Sequence, residues 1–154
     1  MKSAACIIAM VISLGFAQGE GLAFDVPERT QPQSPNLEAG RKAVDAKDFK
    51  AALGHLAKAA EETPNDADVF NLLGYSHRKL GDFDKAMEHY RAALKLNPNH
   101  RGAHEYLGEL YLDMGQLANA EKQLQTLSKA CPWFGKCEEY EDLKEAIEKY
   151  KAKK

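Results

Sequence analysis

Proline recurs at Pro64, Pro98 and Pro132, each thirty-four residues from the last. Other positions keep the same step: Gly40, Gly74 and Gly108; Ala52, Ala86 and Ala120; Phe49, Phe83 and Leu117; Leu56, Tyr90 and Leu124. A fixed period of this length in helix-compatible residues limits the chain to stacked helical hairpins, because one such unit cannot bury its apolar face alone. Repeats of this kind build an extended surface that holds another molecule.

Within one period the apolar spacing is helical. Val69, Phe70, Leu73, His77 and Leu80 fall at three- and four-residue steps on one face. Gly81 follows where a helix end calls for a left-handed residue, and Asp82 is a good cap for the next helix. That second helix turns Phe83, Ala86, Met87, Tyr90, Ala93 and Leu94 inward, and Asn97-Pro98-Asn99 ends it. The next unit repeats the pattern with Tyr106, Leu107, Leu110, Tyr111, Met114 and Gly115, then Leu117, Ala120, Leu124 and Leu127. Gly74 with Ala86, and Gly108 with Ala120, are expected where the two helices of one hairpin cross, since only small side chains permit that approach.

After Pro132 the period stops. Trp133, Phe134 and Gly135 make an apolar turn, and a last helix is expected from about Glu138 to Lys151 with Tyr140, Leu143, Ala146, Ile147 and Tyr150 on its apolar face. One wet face and one apolar face suit it to capping the stack over residues 133–154.

The chain opens with Lys2, an apolar stretch from Ala4 to Phe16, then small and polar residues. This predicts a secretory signal peptide over residues 1–23, with cleavage after Ala17 or Ala23. The apolar stretch is shorter than the ~20 residues a spanning helix needs, so no stable membrane anchor is expected. Residues 24–35, with Pro27, Pro32 and Pro35 among polar residues, are expected to form a flexible leader. Loss of Cys6 with the signal leaves Cys131 and Cys137, and one pair in an exported chain reads as a disulfide. A labile redox pair and a metal site are the alternatives. The formal net charge of −2 lacks the basic excess that nucleic acid requires.

Residue by residue, the central unit resembles the tetratricopeptide repeat: Phe70-x2-Leu73-Gly74-x2-His77, then Leu80-Gly81-x-Phe83, Ala86, Tyr90, Ala93 and Pro98. The third unit matches with His104, Leu107, Gly108, Tyr111, Ala120, Leu124 and Pro132. The first is looser, with Asn36, Ala39 and Ala43 in place of large residues and Lys47 at the turn glycine. The units divide at about 33–66, 67–100 and 101–134, the repeats together covering 36–132. The resemblance implies an all-α, right-handed superhelical stack of three helix-turn-helix units plus a C-terminal capping helix. It also implies a concave groove lined by the first helix of each unit, which binds extended peptides or partner segments. Groove residues carried over are Leu37, Arg41 and Val44; Asp68, Asn71, Tyr75 and Arg78; and Glu105, Glu109 and Leu112. Arg41, Asn71, Tyr75, Arg78, Glu105 and Glu109 are the candidate partner-binding residues, Tyr75 foremost. A subgroup of the family clamps C-terminal carboxylates with lysine and asparagine. Here the pairs Leu37/Arg41, Asn71/Tyr75 and Glu105/Glu109 depart from that set, and a gradient from Arg41 and Arg78 to Glu105 and Glu109 is expected instead.

No phosphate-binding glycine loop, G-x-S-x-G or isolated carboxylate pair is present. His100 and His104 are four apart, but a third ligand is missing, and His77 sits at a packing position. The expectation is therefore a non-enzymatic protein- or peptide-binding adaptor, with no cofactor and no metal, secreted and most consistent with a periplasm. Two alternatives stand beside it: a homo-oligomerising scaffold, and a thiol-redox or metal-responsive protein using Cys131 and Cys137.

Overall fold

A computed structural model describes residues 34–131 and 136–153. The expected signal peptide, the leader up to residue 33 and the Trp133-Phe134-Gly135 turn lie outside the described residues. By contacts the chain divides into units 1–30 and 31–154, and all described helices belong to the second. They are α1 (Pro35–Asp45), α2 (Phe49–Glu62), α3 (Ala67–Lys79), α4 (Phe83–Leu96), α5 (Arg101–Asp113), α6 (Leu117–Ala130) and α7 (Glu138–Ala152). The fold is an all-α solenoid of three hairpins closed by one further helix.

Caps set the helix starts. Ser34 Oγ accepts from Leu37 N at 3.2 Å with Pro35 in the first turn, so α1 begins inside the segment expected to be leader. Asp48 and Asp82 hold the starts of α2 and α4 through Ala51 N and Lys85 N. Gln116, at the equivalent place before α6, makes no such bond. The turn inside each hairpin passes through a left-handed residue: Lys47 (φ 58°), Gly81 (φ 81°) and Gly115 (φ 75°). Only Lys47 carries a β-carbon there, which adds steric cost to the first hairpin.

The small residues expected at the crossings are in close contact. A β-carbon on Gly40 would lie 2.6 Å from Leu56, and one on Gly74 would lie 2.6 Å from the Tyr90 ring, both within their own hairpins. Gly108 departs from that expectation. Its nearest neighbour is Leu143 of α7, at 2.5 Å from such a β-carbon. Leu56, Tyr90 and Leu143 have no exposed surface, and burying each contributes on the order of 2 kcal/mol.

The first helices of successive hairpins approach closely, α1 with α3 and α3 with α5, whereas the backbones of α2 and α4, and of α4 and α6, lie farther apart. A stack joined closely on one side and splayed on the other curves, with α1, α3 and α5 on the inside. Helix α7 continues that inner row. It packs more extensively on α5 than on α6, and more than the earlier first helices pack on one another. The apolar core runs along the stack in three clusters, around Leu56, around Tyr90 and around Leu143.

Cys131 ends α6 and Cys137 precedes α7, with their Cα atoms 5.8 Å apart, a spacing a disulfide spans. Reduction is expected to lower stability by about 2 kcal/mol through the loss of this short loop constraint. Denaturant melts with and without reductant would check this, and coincident curves would mean that the bridge contributes nothing. Lys47→Gly is expected to raise stability by about 0.5–1 kcal/mol by removing the β-carbon from a left-handed turn, read as an upward shift of the thermal midpoint.

Candidate functional site

The inner face carries two charged clusters with an aromatic stretch between them. In the first, Arg41 of α1 donates to Asp68 of α3 at 2.5 Å, and His100 Nε2 meets the other oxygen of Asp68 at 2.8 Å. His100 Nδ1 accepts from Ala103 N, so the ring proton sits on Nε2 and is donated to Asp68. That hydrogen bond, with the help of Arg41 and against partial burial, holds the Asp68 carboxyl down at about 2. His100 is thus a helix cap and a carboxylate partner at once. His104, four residues on, turns its two ring nitrogens to Gln123 and to the Pro98 carbonyl. Among the described residues no group of three or more histidines, cysteines or carboxylates is placed to hold a metal.

Aromatic rings fill the middle. Tyr75 is half-buried, with Tyr106 at 4.8 Å, Phe49 edge-on at 5.9 Å and the Lys79 ammonium 5.0 Å above its ring. Tyr90 lies behind Tyr106 at 6.4 Å. The ring chosen from sequence as the foremost contact is therefore also part of a packed aromatic row.

In the second cluster Arg78 of α3 reaches across to α5, bonding Glu109 and, through Nε at 2.6 Å, Asp113. Burial works against its charge, but Asp113 and Glu109 raise its pKa above the ordinary arginine value. The arginines and glutamates expected at opposite ends of the groove thus meet. Arg78 is engaged by Glu109 and Asp113, and Arg41 by Asp68, so the two arginines do not form a free positive end of the face.

Glu105 is different. It is 8% exposed. Burial, reinforced by Glu109, Asp142 and Glu139 and opposed by Arg78, pushes its carboxyl up to about 8. Asn71, at the equivalent position of α3, is 7% exposed, and its Oδ1 has no hydrogen-bond partner. Leu37 and Leu112, which the repeat positions placed on the groove, belong to the apolar core. Beside Arg78, Glu109 and Asp113, a cleft of 240 Å³ opens toward Ala146 and Lys149 of α7. Asp113 could have been read from sequence, being one turn past Glu109 on the same face. Glu139 and Asp142 could not, because α7 lies beyond the period.

The folded chain holds the Glu105 proton up to about pH 8, while an unfolded carboxyl releases it near 4.5. Between these values the folded state binds more protons, so stability falls as pH rises; the contribution is full below 4.5 and gone above 8. Glu105→Gln, which keeps the shape without the charge, is expected to stabilise the chain at pH 9. The gain is on the order of 2 kcal/mol once residual solvent contact is allowed for. At pH 4 little difference is expected, and parallel thermal melts at the two pH values compare them.

Residues 67–100, which hold α3 and α4, match the tetratricopeptide repeat family. The "Protein CTR9 homolog" of Arabidopsis thaliana is 31% identical over 97 residues, a match covering 62% of this chain and 9% of that protein. The chain thus spans a small part of the length of the curated relatives it matches, at most 31% among the four compared. Among solved structures, the TPR2B domain of yeast Sti1 in complex with pHsp70 superposes with a TM-score of 0.69 at 15% identity, covering 77% of this chain and 95% of that one. The Yersinia enterocolitica type III secretion chaperone SycD, in complex with a peptide of the translocator YopD, gives 0.67 at 18% identity, covering 77% and 91%. With three hairpins in a thirty-four-residue register, the central hairpin is a tetratricopeptide repeat by its family match, and the chain shares the fold of the tetratricopeptide repeat domains among these neighbours.

Proposed function

We propose that the chain is a non-enzymatic adaptor of the bacterial envelope, secreted to the periplasm, that holds an extended segment of another protein on the inner face of α1, α3 and α5. The observation that carries this reading is the alignment of those three helices, which brings half-exposed Arg41, Asp68 and Tyr75 onto one curved face. The Sti1 and SycD neighbours, each solved with a bound polypeptide, support the same use of the fold. The export half of the proposal rests on the pattern of residues 1–23 and on the proximity of Cys131 and Cys137.

The test is affinity capture from an envelope extract with the full chain and with an Arg41→Ala/Lys79→Ala variant. Both positions project toward solvent, Arg41 with a side chain 40% exposed. Arg78 is unsuitable, because its loss would strand Glu109 and Asp113 without their cation. A protein retained by the wild type and lost by the variant at unchanged helicity is the expected result. Equal retention would move binding off this face, and recovery of only further copies of the chain would favour a scaffold.

A further inference from the structure

The inner face contains more hydrogen-bond acceptors than its own cations satisfy. Glu105 makes no hydrogen bond among the described residues although it is 8% exposed. Asn71 Oδ1 is likewise unpartnered, and the Asn71 amide lies against α5 at Gly102, one turn before Glu105. Leaving the buried Asn71 oxygen unmatched costs on the order of 1–3 kcal/mol.

The charges around Glu105 are as one-sided as its hydrogen bonding. Glu109 faces it from its own helix, Glu139 and Asp142 from α7, and Arg78 from α3. Arg78 is already engaged by Glu109 and Asp113, and Arg101 by Glu139 at 3.3 Å. Lys149 and Lys153 border the adjoining cleft, Lys149 held by Glu145 at 2.6 Å, so the carboxylates around Glu105 still outnumber the cations and both arginines are committed. A carboxylate or phosphate ligand would add to the surplus. An ammonium or guanidinium group would supply both the missing donors and the missing charge. The adjoining Tyr75 ring already accepts a cation, Lys79, on its face.

We propose that Glu105, with Asn71 and the Glu109, Glu139 and Asp142 carboxylates around it, forms a subsite for one basic side chain of the segment held on the inner face. This rests on the adaptor reading and gives it a polarity opposite to that of a carboxylate clamp. In the free chain Glu105 keeps its proton near neutral pH, and the incoming cation takes the place of that proton.

An NMR titration of the full chain with acetyl-Ala-Ala-Lys-Ala-Ala-amide tests it, alongside the same peptide with Gln or Glu in place of Lys. The lysine peptide is expected to shift resonances of α3, α5 and α7 and to lower the Glu105 carboxyl titration midpoint by at least one pH unit. The Gln and Glu peptides should do neither. Glu105→Gln is expected to weaken the lysine peptide about tenfold, whereas Glu61→Gln, the same charge change at an exposed position of α2, should alter it less than twofold. An unmoved Glu105 midpoint would overturn the proposal, as would equal weakening by the two substitutions, which signals diffuse attraction. If the capture experiment finds a groove partner and these titrations fail, the adaptor stands and the basic subsite falls. If the titrations succeed without a captured partner, the subsite stands and the adaptor reading loses its support.

Discussion

Everything in this stack depends on two helices approaching closely enough for a large side chain to lie on a glycine. Leu56 on Gly40 and Tyr90 on Gly74 fix the geometry of two hairpins, and neither contact has room for a β-carbon. From that approach follows the position of each first helix, and from the row of first helices follows the curved face. The polar residues on that face were placed by an apolar contact on its far side. Recognition here is a consequence of packing.

The third hairpin shows what happens when the row ends. There the side chain lying closest on the glycine comes from α7, a helix with no counterpart in the period. Leu143 fixes α7 on α5, and the acidic first turn of α7 (Glu138, Glu139 and Glu141) follows, with Asp142 just beyond. Carboxylates are favoured at a helix N-terminus, so α7 tolerates this run of charge at its start. Burial and Glu109 raise the Glu105 carboxyl, and Asp142 and Glu139 of this run add to the effect. A helix outside the period thus adds charge to the surroundings of a buried glutamate inside it.

The period made most of the architecture legible in the sequence. Pro64, Pro98 and the glycine series marked the units, Gly81 and Lys47 marked the left-handed turns, and the apolar face from Tyr140 to Tyr150 marked α7 almost to its observed ends. Repeat positions also brought Arg41, Asp68, Asn71, Tyr75, Arg78, Glu105 and Glu109 to one side of the stack. What they could not give was which of these charges would pair. Arg78 meets Glu109 and Asp113 because α3 and α5 lie within side-chain reach, a distance that a one-dimensional pattern does not contain. The burial of Glu105 was hidden for a related reason: a helix outside the repeat has no register to inherit, so its docking depends on shape alone.

The placement of α7 also acts as a ruler. With neighbouring helix axes about 8–10 Å apart, the inner face from α1 to α5 measures roughly 20 Å before α7 closes it. An extended chain advances about 3.3 Å per residue, so the face accommodates about six residues of a bound segment. On the adaptor reading, a held segment is thus bounded at one end by a single helix that itself belongs to no repeat.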